Sequence, residues 1–187
     1  VFDKINGLPA HVLLIHVVIV LVPLAALMLV AGAVWPAARA RLGFLTPAVA
    51  LVALAFVPIT THAGTWLRDH LGFTTAAIRK HTQLGTTLLP WAIGVFVMAA
   101  AVWLLDRRYE MTWRSSPAAA EPPVESPGGG GTTTLTKPAT TKQALPVWVN
   151  AVVAVLALVV AVGTVVQLYR IGDSGAHAVW DGSAATK

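Results

Sequence analysis

The chain has 187 residues, 56% hydrophobic and only 11% charged, with a net charge of +5 and no cysteine, and its mean hydropathy is +0.72. That balance excludes an ordinary soluble domain, in which roughly a quarter of residues are charged. The missing thiols exclude disulfides, iron–sulfur clusters, thiolate ligands and covalently attached c-type haem.

The first apolar run, residues 8–35, holds only His11 and His16 as ionisable groups. A hydrocarbon core takes roughly 20 apolar residues in helical form, so the run is a membrane span. It exceeds the usual h-region of a signal peptide, and Asp3 offsets Lys4 where a basic n-region would be, so an uncleaved span is expected despite Ala31-Gly32-Ala33. The second run, residues 45–63, is clean until His62, which follows Pro58, Thr60 and Thr61 and precedes Gly64. Trp66, Arg68, Asp69, His70 and Phe73 then read as an interfacial turn. The third helix is predicted to begin near Thr74 or Thr75 and to run to Leu105, with His81 about two turns in. Thr82, Gln83, Gly85, Thr86 and Thr87 make its first part polar.

Composition changes abruptly after that helix. Residues 115–142 contain Pro122-Pro123, four consecutive glycines at 128–131 and several threonines, with almost nothing apolar. Such a segment cannot offset the entropy of ordering and is expected to be a flexible tether. The fourth run, residues 146–168, carries Ala154, Ala157, Ala161 and Gly163, small residues that let helix backbones approach closely. It either completes the bundle or contacts another membrane protein. The expected fold is therefore all-α, an integral membrane four-helix protein. Residues 1–106 form three closely linked spans, 107–145 a linker, 146–169 the fourth span and 170–187 a polar tail. Pro23, Pro58 and Pro90 imply kinks, and no transporter-like broken helix is expected.

Lys and Arg lie in short segments beside these runs, where they anchor and orient a membrane protein, so the basic surplus does not point to nucleic acid. Arg39 and Arg41 in the first connection, and Arg107, Arg108, Arg114, Lys137 and Lys142 in the third, face Lys4, Arg68, Arg79, Lys80, Arg170 and Lys187 on the other side. The pairs nearest the spans favour the first and third connections as cytoplasmic, with both termini exterior. Trp35, Trp103 and Trp148 mark one interface and Trp66 the other. All six histidines (His11, His16, His62, His70, His81 and His177) then share the exterior side.

Histidine ligates haem and metals and titrates near neutrality, so that side is where chemistry is expected. His16 lies about 12 Å of helix rise beyond Leu8, where polar groups are costly and usually functional. It is read either as a ligand or as a neutral imidazole bonded to a backbone carbonyl or a threonine. His81, on the third helix, is its counterpart at comparable depth. Gly85, one turn further on the same face, removes bulk where a flat ring system needs space. Arg79 stands with Arg68 and Lys80 at the mouth, placed for haem propionates or lipid phosphates, although headgroup anchoring is the commoner role. A structural role is favoured for His62, and His70 and His177 are expected to be solvated. His11 and His16 are five residues apart and cannot chelate one ion from one face. The expected site is thus His16 and His81 as metal ligands of a b-type haem, with His62, Gly85 and Arg79 around it. A zinc or copper site would need three or four of these histidines, since Asp69 is the only acid near them. No serine or carboxylate pair and no phosphate-binding glycine loop is present.

The segments Leu8-Pro-Ala-His11-Val-Leu-Leu-Ile-His16-Val, Thr61-His-Ala-Gly64 and His81-Thr-Gln-Leu-Gly85 resemble a bacterial multi-pass membrane family, that of domain of unknown function 2231. Its first helix reads His-Pro-x-x-Val-His-Phe-Pro and its third opens with His-x-x-x-Gly. The resemblance covers residues 8–105; Val12 stands where that pattern has proline, and Val17-Val18-Ile19 where it has Phe-Pro. It implies a bacterial cell-membrane setting, and since some members are joined to cytochrome-type domains it implies a redox context. Two functions from different classes follow. One is haem b binding for electron transfer, or an accessory role in a membrane redox complex. The other is a cofactor-free structural or partner subunit docking through its fourth helix, with a small transporter or metal-handling protein as a weaker third.

Overall fold

The computed structural model describes residues 4–5, 8–70, 72, 74–109 and 145–184. The tether segment at 115–142, with Arg114, Lys137 and Lys142, lies outside the described residues. Six helices follow the apolar pattern: α1 (Ala10–Val34), α2 (Pro36–Leu42), α3 (Leu45–His70), α4 (Ala76–Thr86), α5 (Leu88–Arg108) and α6 (Val147–Ala184). Before them two short strands, β1 (Lys4–Ile5) and β2 (Leu8–Pro9), pair antiparallel with Ile5 opposite Leu8. Four helical segments are long and apolar enough to cross a membrane: Ala10–Val34, Leu45–His70, Ala76–Arg108 and Val147–Trp180. The chain is an all-α, multi-pass membrane protein in contact with the bilayer.

The spans form a ring in which α1 packs on α3 and α6, and α5 packs on the same two helices. Lipid tails are as apolar as leucine, so hydrophobicity alone does not bring these helices together; close backbone approach does. The buried positions are accordingly small: Ala25, Ala26 and Ala33 on α1, Ala50 and Ala53 on α3, Ala92 and Ala99 on α5, and Ala154, Ala157 and Ala161 on α6. The larger Val20, Leu27, Val97 and Val155 point outward to lipid. The fourth span therefore completes the bundle. Cleavage within residues 115–142 is expected to leave two fragments that co-purify through a gel-filtration column in detergent, and separation of α6 would contradict the packing.

One span differs from expectation. The third is broken at Thr87 into α4 and α5, where only a kink was expected. Pro90 has no N–H for the Thr86 carbonyl and its ring crowds that carbonyl, so the α-helical ladder cannot run through. α4 starts where the sequence suggested: Thr75 caps it by accepting from the Ile78 N–H at 3.2 Å. α5 alone has 21 residues, about 31 Å of rise, enough for a core of about 30 Å. The short, polar α4 packs beside α6. α6 has 38 residues, about 57 Å, and extends well past the core.

The opposite end is closed by Arg39. From α2 it reaches back to α1, donating from Nε to the Gly32 carbonyl at 2.7 Å and from Nη2 to the Ala33 carbonyl at 3.0 Å. These are terminal carbonyls that the helix cannot satisfy itself. Asp106 at the end of α5 lies 3.8 Å from Nη1. Burial lowers the Arg39 pKa, with Asp106 opposing, yet a guanidinium stays charged at any accessible pH. Loss of charged hydrogen bonds at a site only 4% exposed sets the expectation for Arg39→Ala. It should destabilise the protein by about 2–4 kcal/mol, measured by reversible unfolding in mixed micelles. A change within about 0.5 kcal/mol, the range of ordinary surface substitutions, would show that the cap is dispensable.

Candidate functional site

Two imidazoles meet at the end of the bundle away from Arg39, and they are His11 and His81. Their ring centroids are 6.4 Å apart with an interplanar angle of 77°. His11 opens α1 and His81 lies in the middle of α4. Each is held by a helix to which it does not belong. His11 Nδ1 donates to the Thr60 carbonyl of α3 at 3.0 Å. His81 Nδ1 donates to the Ile171 carbonyl of α6 at 3.1 Å and lies 3.1 Å from Ser174 Oγ. Ser174 itself donates to Ile171 O at 2.8 Å. A carbonyl only accepts, so in the neutral rings Nδ1 carries the proton and Nε2 holds the lone pair. Both imidazoles are thereby fixed in the tautomer that metal-ligating histidines use.

Glycines seat the two rings. A Cβ on Gly64 would stand 3.0 Å from His11 Cε1 and Nδ1, and one on Gly175 would stand 3.1 Å from His81 Cε1. Any larger residue at either position has to move the ring. Thr60 adds a further feature: its carbonyl serves His11, while its hydroxyl is buried and, among the described residues, has no hydrogen-bond partner. A buried, unpaired hydroxyl on the residue whose carbonyl holds His11 is a place where a water or a ligand's polar group gains most.

The expected pairing of His16 with His81 is not what the fold brings together. His16 is exposed on the outside of the bundle, and its Nδ1 donates to the Val12 carbonyl of its own helix at 2.7 Å. Five residues turn an α-helix through about 140° beyond a full turn, so when His11 faces inward His16 cannot. His81 lies instead beside His11, one residue into α1. His62 is exposed as well, and the threonine beside it turns away, Thr61 Oγ1 donating to the Val57 carbonyl at 2.9 Å. Gly85 has no atom within 4 Å of where its Cβ would be, so the space expected there is open. Arg79 is exposed on α4.

The remaining histidines lie apart. His70 is exposed, stacked on Trp66 with centroids 3.8 Å apart, and donates to the Trp66 carbonyl at 3.0 Å. His177 is 62% exposed and lies 3.8 Å from Asp173. Among the described residues no three His, Asp or Glu side chains converge as they would on a metal ion. What the fold brings together is therefore the two imidazoles of His11 and His81.

A separation of 6.4 Å at 77° is an edge-to-face ring contact, and among the described residues no third His, Asp or Glu joins the pair. Sequence reasoning missed His11 and Ile171, and also Gln167 and Ser174, which support His81 from α6. No family model, no curated protein and no solved structure matches this chain, so the reading of the site rests on these residues and their geometry.

Proposed function

We propose that this is a membrane electron-transfer protein, or the haem-bearing accessory subunit of a membrane redox complex, with His11 and His81 as the axial ligands of a b-type haem. The observation that carries the reading is the juxtaposition of two imidazoles from different helices, centroids 6.4 Å apart, each ring with its Nδ1 on a carbonyl of a neighbouring helix. A haem b held there would supply a one-electron couple at the membrane surface. The protein's part is to orient: Thr60 O and Ile171 O fix the tautomers and raise ligand basicity, and Gly64 and Gly175 set the ring positions. Gly85 leaves space on α4, and Arg79 is exposed on the same helix. The proposed setting is a bacterial cell membrane with both termini exterior, which puts the pair on the outer side.

An absorbance spectrum of protein purified from haem-replete cells tests the reading. A low-spin Soret band that sharpens on reduction is expected. Colourless protein with background metal content would leave the histidines structural and favour the partner-subunit reading, for which the same carbonyl bonds are sufficient reason.

Orientation has its own test. A reporter inserted within residues 128–131 should behave as cytoplasmic, and one fused after Lys187 as exterior. Both on one side would contradict four crossings, and a reversed result would turn the proposed site to the cytoplasm.

A further inference from the structure

The break in the third span is held by a side chain from α6. Gln167 is only 6% exposed, in a segment where an unpaired amide is costly. Its Nε2 donates to the Leu84 carbonyl at 3.2 Å and to Thr87 Oγ1. Leu84 O, which has lost the regular helical partner one turn on, also accepts from Thr87 N at 3.1 Å and Thr87 Oγ1 at 2.7 Å. Gln167 therefore ties together the last turn of α4 and the residue at which the span breaks. Four residues further along α6, Ile171 supplies the carbonyl that His81 uses.

We propose that Gln167 is a positioning residue for His81: by clamping Leu84 and Thr87 it fixes the angle at which α4 leaves α5, and so presents His81 to His11. The inference rests on the reading of that pair as a ligand site, but its mechanical part stands on α4 alone. α4 has 11 residues, too few to be stable as an isolated helix. It is attached to α5 at a break and supported laterally by α6. Without the amide, the Leu84 carbonyl loses one of its three donors and Thr87 loses its hydrogen bond to α6.

Gln167→Met keeps length and removes both donors; Gln167→Asn keeps the amide. Thr164→Val is the control, since Thr164 is fully buried on the same helix but donates to its own Val160 carbonyl at 2.6 Å. Two readouts separate the parts of the argument. The first needs no cofactor: in ring-¹⁵N histidine spectra of the full chain in micelles, solvent exchange of the His81 Nδ1 proton should rise about tenfold in Gln167→Met, the loss of one ordinary hydrogen bond. Gln167→Asn should recover part of that protection, and Thr164→Val should match the parent. The second is the electron paramagnetic resonance spectrum of the ferric form, in which Gln167→Met should shift the low-spin signal or convert part of it to high spin. Unchanged exchange at His81 in Gln167→Met overturns the inference whether or not haem is bound. Raised exchange in a parent protein that is colourless upholds the positioning role and overturns only the haem reading. Raised exchange with an unchanged low-spin signal in a haem-bearing protein would mean that His81 moves without being a ligand, and would end the proposal as stated.

Discussion

His11→Ala and His81→Ala are each expected to abolish the low-spin haem spectrum, while His16→Ala leaves it in place. A lone imidazole binds haem weakly and leaves an open axial position, so either loss should give high-spin or haem-free protein. His16 is the sharp control because it is also a histidine of α1, near in sequence, and yet exposed and bonded to its own helix. His62→Ala and His70→Ala should also be silent, both being exposed. Gly64→Ala and Gly175→Ala form the graded cases. Each pushes a methyl to about 3 Å from an imidazole, which should shift the spectrum and the reduction potential without removing the haem. A low-spin spectrum that survives His11→Ala but disappears in His16→Ala would restore the pairing expected from sequence and refute the geometry of α1.

The spans were legible because each needs only a run of about 20 apolar residues, and because the connecting segments are polar or contain prolines. What sequence did not yield is rotation about a helix axis. Whether His11 or His16 faces inward depends on how α1 is turned in the bundle, and the argument from depth ignored that. A signal was present: Ala25 and Gly32 are small residues suited to close packing, and counting back by sevens from them gives Val18 and then His11. Val18, Ala25 and Gly32 are all buried, so the small-residue seam of α1 runs straight to His11. Pro90 was seen as a kink, but its missing N–H leaves the Thr86 carbonyl without its helical donor, and the helix is interrupted at Thr87 between α4 and α5. Arg39 was read only as an orientation signal. Its second role as a cap for α1 depends on the turn through Gly43, which has a positive φ of 43° and lets α3 start back along α1.

Gly163→Ala is expected to destabilise the protein by about 1–3 kcal/mol, the usual cost of overpacking, although alanine is the better helix former. Two effects compete. Replacing a mid-helix glycine by alanine should favour the helix by about 1 kcal/mol, and on α6 that gain would be seen wherever space allows. At Gly172 nothing lies within 4 Å of the added Cβ, so Gly172→Ala should be neutral or stabilising. At Gly163 the added Cβ would overlap the edge of the Trp91 ring at Cζ3 and Cη2, and helix propensity cannot offset an overlap of that kind. Either the indole of α5 swings out or α6 moves away from α5. Trp91→Ala separates this from any other cause. The double substitution should be less destabilised than the sum of the two single ones, by more than about 0.5 kcal/mol, the usual limit of additivity for independent sites. Additive losses would mean that Trp91 does not rest on Gly163. The consequence reaches the site, because α6 also carries Gln167, Ile171, Ser174 and Gly175. A bundle loosened at Gly163 should therefore lose its grip on His81 while His11, held by α3, keeps its bond to Thr60.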